Sequence, residues 1–330
     1  MDTGNSGIGQ ASAPRRLPMT PLKRTAVILL AAMALVLLTE AVLRFGLGLG
    51  NPVLITPDAA CNYTLKPNQH VYRFFSHTDT NRFGMRSEDV GSHAPGALRL
   101  LFVGDSIPYG TSQVDQSHIF TELLHRELPS IVHQPVEVLN ASAGAWAIDN
   151  ELSYIRSRGL FDADIVLLVL NSGDLAQPRS TIADVGDGLP VARPATAIGE
   201  LWLRYIRPRL FHLHRHIDAG DSANQNADDV VKSNLEKLDA FRGLVDAAHT
   251  RFAIIYIPFR HEVPTVSAKP TAILSAWAAD RHVPLLELTA AELPYSEREI
   301  TLDGAHFNIK GNQVVADAIE RAWPTVMGPR

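Results

Sequence analysis

The sequence predicts an α/β fold, a parallel sheet covered by helices on both faces, and three observations lead there. Strand-like apolar runs alternate with segments of helical periodicity, the order that builds parallel sheets. The runs, led by Leu98–Val103 and Ile165–Leu170, are apolar almost throughout rather than alternating, which fits strands buried on both faces. The 330 residues, 46% hydrophobic and 20% charged, suffice for one large domain with appendages.

Residues 1–24 read as a disordered cytoplasmic tail, rich in Gly, Ser, Pro, Ala and Thr up to Pro21. Asp2-Thr3-Gly4 matches a protease tripeptide only by chance. Thr25–Thr39 is an uncharged apolar run of 15 residues, and continuing through Phe45 brings it to the ~20 that cross a bilayer. Membrane anchor, cleaved signal peptide and buried core helix compete for it. No Ala-x-Ala-like cleavage site follows the run, and the paired arginines Arg15-Arg16 are badly spaced for a twin-arginine signal. Residues 25–45 are therefore read as a single-pass inner-membrane anchor, with Glu40 and Arg44 at the far interface. Arg15, Arg16, Lys23 and Arg24 keep the N-terminal side cytoplasmic, so the bulk of the protein faces outward, into the periplasm of a bacterium.

Residues 46–96 read as a linker and sheet-capping segment. Gly46–Gly50 follows no strand, so it is a flexible exit rather than a dinucleotide loop. Asn81-Arg82-Phe83-Gly84-Met85-Arg86 reads as a turn or short hairpin capping the sheet. The main domain, 97–330, opens with the strand Leu98–Val103, followed by a helix over Ser117–Leu128. Further strands are expected at Val136–Leu139, Ile165–Leu170, Phe252–Ile257 and Val283–Leu286. Helices are expected up to Ile155 and over Val230–Ala248, Thr271–Arg281 and Asn312–Ala322. An irregular insertion, 176–221, holds Ile198–His216, apolar on one face and rich in arginine.

Two short segments carry the chemistry. Gly104-Asp105-Ser106 ends the first strand, at the edge where open α/β sheets bind ligands. Asp303-Gly304-Ala305-His306 lies just before the last helix. A serine hydroxyl needs an adjacent base to become a nucleophile, and a carboxylate fixes the tautomer of that base and stabilises its imidazolium. Ser106, His306 and Asp303 supply those three residue types. A tetrahedral intermediate also needs donors for its oxyanion. The backbone N–H groups of Ser106 and Gly144 are candidates, with a side-chain amide at the end of the third strand.

These segments resemble the SGNH/GDSL hydrolase family over roughly residues 70–326. Gly104-Asp105-Ser106 matches its nucleophile block, Asp303–His306 its closing block, and Leu139–Gly144 its glycine block. Asn81–Arg86 is similar to a segment ahead of the serine in membrane-anchored members. The resemblance implies a three-layer α/β/α, flavodoxin-like five-stranded parallel sheet and ester hydrolysis through a serine acyl-enzyme. It implies Ser106, His306 and Asp303 as the triad. The third block departs from the family: Gly-x-Asn-Asp is replaced by Asn171-Ser172-Gly173-Asp174, so Gly173 stands where the oxyanion asparagine is expected. Asn171 is the candidate to take over. The glycine block is also irregular, with Ser142 as an alternative alignment to Gly144.

The net charge of −5 gives no drive towards nucleic acid. The single cysteine, Cys61, excludes an intrachain disulfide and cysteine-built metal sites. His212, His214 and His216 lack a partner motif for a metal and read as a solvated or membrane-surface basic face. No cofactor or metal is expected. The partners expected are the inner membrane and an ester or acylated glycan substrate. An O-acyltransferase with the same triad and a non-catalytic glycan-binding or assembly protein are the rival readings.

Overall fold

A computed structural model describes residues 20–210, 227–258, 269–288 and 294–326. The N-terminal tail before Thr20, Arg15-Arg16 and the three insertion histidines lie outside them.

The chain opens with helix α1, Pro21–Ala41, which runs on through one wider turn to Gly46. The 26 residues extend about 39 Å at 1.5 Å per residue. Their apolar side chains, among them Ile28, Leu30, Leu35 and Leu38, stand exposed, so this helix is not part of the core.

Two antiparallel hairpins follow, β1 (Ile55–Asp58) with β2 (Asn62–Leu65), and β3 (His70–Arg73) with β4 (Ser76–Asp79). The sequence leads one to expect a linker and sheet-capping segment here, with a turn or short hairpin at Asn81–Arg86 and no strands before it. Four-residue strands carrying Pro57, His70 and His77 give little alternation to read.

The main sheet has five strands: β5 (Leu98–Gly104), β6 (Val136–Ser142), β7 (Ile165–Asn171), β8 (Arg251–Ile257) and β9 (Leu285–Glu287). All pair in parallel, in the order β6-β5-β7-β8-β9. This is the flavodoxin-like arrangement, whose strand order reverses between β5 and β7. Strand alternation divides the core into two layers. Leu101 and Val103 face one apolar cluster, which includes Leu152 of α4 (Ile148–Arg158), Phe241 of α5 (Ala227–Ala247) and Trp277 of α6 (Lys269–Asp280). Leu100 and Phe102 face the other, with Phe120 and Leu124 of α3 (Phe120–Glu127) and Val315 and Ile319 of α7 (Ile309–Val326). Tyr63, Leu65, Val71 and Met85 from the hairpin segment belong to the first cluster, so the segment before β5 packs directly on the sheet.

Candidate active site

Strand β5 ends at Gly104, where an added Cβ would lie 2.7 Å from Pro108 Cγ and 2.9 Å from the carbonyl oxygen of Val169. Only glycine lets the chain turn that closely over β7. Asp105 then caps the short helix α2 (Ser106–Tyr109), its Oδ1 accepting from the N–H of Ile107 at 2.8 Å. The turn leaves the Ser106 side chain at the carboxyl edge of the sheet, beside the switch point.

The closing segment, 301–307, is a loop held by a bridge between Thr301 and Phe307 and by the Leu302 N–H donating to the His306 carbonyl at 2.7 Å. Ile300 and Phe307 bury their side chains at its two ends. Asp303 Oδ1 accepts the backbone N–H groups of Ala305 and His306, at 3.2 and 2.9 Å. That turn aims His306 back over the sheet. Its Nδ1 lies 2.8 Å from Asp303 Oδ2, and its Nε2 lies 3.0 Å from Ser106 Oγ. The three residues picked from sequence, 200 positions apart at the widest, therefore meet in one hydrogen-bonded line.

The electrostatics follow from the surroundings. Burial pushes Asp303 up, but the imidazole and N–H of His306, with the N–H of Ala305, hold its carboxyl at about 2. Burial lowers His306, yet the Asp303 hydrogen bond and charge, with a further contribution from Asp105, leave it raised above 6.5.

The donors expected around the oxyanion fall into two groups. Register pairs Gly104 with Ser142, the last residues of β5 and β6, and Ser106 and Gly144 each follow two residues later, so both lie beyond neighbouring strand ends at the same edge of the sheet. At Gly144 an added Cβ would lie 2.9 Å from Leu189 Cδ1, and its carbonyl accepts from the Tyr63 hydroxyl at 2.9 Å. Asn171 is differently placed. Its Nδ2 donates to Asp105 Oδ2 at 2.9 Å and to Asp174 Oδ1 at 3.1 Å, while its Oδ1 accepts from the N–H of Gly173. An amide has two N–H bonds. Both are committed to buried carboxyls, which leaves neither for an oxyanion. Ser142 is committed too, donating to Asn140 Oδ1 at 2.6 Å.

Behind the serine lies a set of carboxyl groups that the sequence reading missed. Asp105, Asp174 and Glu151 are all buried. Burial pushes each of them up, and repulsion from its neighbours adds to the push on Asp174 and Glu151. Arg86, from the Asn81–Arg86 turn, is also fully buried. It donates to the carbonyls of Tyr109, Thr111 and Val114 at 2.6–2.7 Å and to that of His77 at 3.3 Å. Its Nε donates to Gln116 Oε1. The turn thus pins the loop that leaves α2, a role beyond capping the sheet. Cys61 is buried, and its thiol is pushed up to about 12, first by burial and then by Asp58, which fits an unreactive thiol.

No protein-family model matches the chain, and no curated protein matches its sequence. Solved structures do resemble it. TesA is 14% identical, with a TM-score of 0.46 over 69% of this chain and 99% of that one. A lipase/acylhydrolase from Enterococcus faecalis is 16% identical, with a TM-score of 0.43 over 68% and 95%. A catalytic mutant of an acetylxylan esterase from Geobacillus stearothermophilus is 14% identical, with a TM-score of 0.41 over 68% and 93%. The functional reading rests on the side-chain geometry.

Proposed function

We propose that the protein is a serine esterase of SGNH type, held in the inner membrane by α1 and facing the periplasm. The observation that carries the reading is the line Asp303–His306–Ser106, with contacts of 2.8 and 3.0 Å. In this mechanism Ser106 Oγ attacks an ester carbonyl while His306 Nε2 takes its proton. Asp303 holds the Nδ1–H tautomer and stabilises the imidazolium. His306 returns the proton to the leaving alkoxide as the tetrahedral intermediate collapses to an acyl-enzyme. Water, deprotonated by the same nitrogen, then releases the acid. Backbone N–H groups of Ser106 and Gly144 are the proposed oxyanion donors, and Asn171 is assigned to holding the turn instead.

The substrate class we favour is an O-acetyl or short acyl ester on an envelope glycan. A half-exposed triad on the sheet rim suits an ester carried on a bulky body, since Asp303 and His306 keep 56% and 30% of their side chains accessible. The test needs no knowledge of the substrate. The full chain in detergent is treated with a fluorophosphonate probe, beside Ser106→Ala as control. Labelling of the wild type that disappears in the control is expected. An unlabelled but folded wild type would overturn the esterase reading in favour of a binding or assembly protein. In a labelled enzyme, an added glycan acceptor that becomes acylated would identify a transferase.

A further inference from the structure

Helical residues continue without a break from 197 to 210, through Ala197–Glu200, Leu201–Ile206 and Arg207–Leu210. Trp202, Leu203, Ile206 and Leu210 are 36–60% exposed, and with the wider turns of Leu201–Ile206 their spacing still keeps them on one side of the helix, within roughly 100° of arc. Arg207 and Arg209, both exposed, fall on either side of that arc. Arg204 and Tyr205 turn towards the protein, where Arg204 Nη2 donates to the Gly188 carbonyl at 2.7 Å and the Tyr205 hydroxyl accepts from Arg73 at 2.8 Å. An apolar stripe bordered by arginines and left uncovered is the pattern of a helix lying in a bilayer interface.

What covers the stripe is indicated by its place in the fold. The carboxylate of Glu40, near the end of the apolar N-terminal helix, accepts the N–H groups of Ala197 and Ile198 at 2.8 and 3.0 Å. It also holds Arg44, whose Nη2 reaches the Ala195 carbonyl at 3.3 Å. The Glu200 carboxylate, buried with Arg73 as its ion-pair partner, accepts from the N–H of Gly50. The tip of the β3–β4 hairpin joins the same corner. Phe74 N–H donates to the Leu47 carbonyl at 2.9 Å, the Phe74 ring meets Tyr205 edge-on at 5.9 Å, and Phe75 is 73% exposed. Outside the N-terminal helix, eight large apolar side chains are exposed among the described residues. Phe75, Trp202, Leu203, Ile206 and Leu210 are five of them. They gather where the helix ends.

We infer that the 197–210 helix and the Phe75 hairpin tip dock on the lipid surface from which α1 emerges, fixing the catalytic domain against the bilayer. This rests on the reading of Pro21–Gly46 as a membrane anchor. The docked element reaches the site through Gly188 to Leu189, whose side chain covers Gly144. The triad is thereby set to meet esters at the membrane surface.

Of the four tryptophans only Trp202 is exposed, the others being at most 5% accessible, so its fluorescence can report the contact. The full chain is reconstituted in phosphatidylethanolamine–phosphatidylglycerol vesicles, with or without phosphatidylcholine brominated on its acyl chains, and floated on a density gradient. The expected result is flotation together with quenching by brominated lipid that is lost in Trp202→Phe. Flotation without quenching would overturn the docking and leave the anchor standing. Protein that stays at the bottom of the gradient would overturn both.

Discussion

Two aspartates flank the Ser106–His306 pair, and the fold treats them oppositely. Asp105 is 6% exposed and takes hydrogen bonds from Ile107 and Asn171. Burial still outweighs these bonds and the pull of His306, and its carboxyl is raised. Asp303 keeps 56% of its side chain in solvent, and its N–H donors and the imidazole outweigh burial, holding it at about 2. Proximity to the reacting hydroxyl does not by itself make a catalytic acid. The role needs a carboxylate that stays charged, and charge persists where donors and solvent together offset desolvation. On that ground the proposed mechanism gives the base to Asp303, and Asp105 shapes the turn.

The sharpest way to break this contrast is Asp303→Asn. Loss of the charge is expected to lower kcat by about 10⁴-fold, with thermal stability little changed at so exposed a position. The pH profile should move as well. His306 must be neutral to accept a proton, and its pKa is raised above 6.5, so wild-type kcat/KM should climb with pH through a midpoint above that value. Without Asp303, burial acts with less opposition and the midpoint should fall. Full retention of kcat would hand the role to Asp105.

A smaller effect is expected at the buried end. Asn171→Ala removes the amide between Asp105 and Asp174 and leaves polar groups without partners, at a cost of about 1–3 kcal/mol, read from the midpoint of urea unfolding. Its kcat should change far less than the ~10²–10³ that a lost oxyanion donor costs. The reverse pattern, normal stability with a collapsed kcat, would restore Asn171 to the oxyanion hole. Gly173→Asn carries the smallest expected change. Gly173 has φ −80° and ψ −28°, which any residue adopts, so an asparagine fits the backbone. A gain in kcat of about tenfold would show that the hole lacks a side-chain donor. An unchanged kcat would show that two backbone donors suffice.

The parts of the molecule legible in the sequence are those written in contiguous residue types. Ser106, Asp303 and His306 each lie within a short motif, and three of the five strands, β5, β7 and β8, are long apolar runs. The edge strand β9 is shorter and lies at Leu285–Glu287 rather than Val283–Leu286. The two hairpins left no pattern because each strand has four residues. Asn171 reads as a free amide because its partner Asp105 is 66 positions away on another strand end. Arg86 stands out in the sequence as part of a motif, yet its role is unreadable there, since four of its five acceptors are backbone carbonyls, which any residue offers.

That guanidinium has a consequence for how the site fails. Every acceptor of Arg86 is an uncharged oxygen, so the brace behind Ser106 has no proton to gain as the medium turns acid. The Asp303–His306 link depends on a carboxylate whose contribution is present above the ordinary aspartate range and disappears as pH falls through about 2. Acid should therefore reach the titratable groups and spare the brace: His306 and the raised Asp105 under the turn gain their protons first and Asp303 last, while Arg86 keeps its bonds throughout.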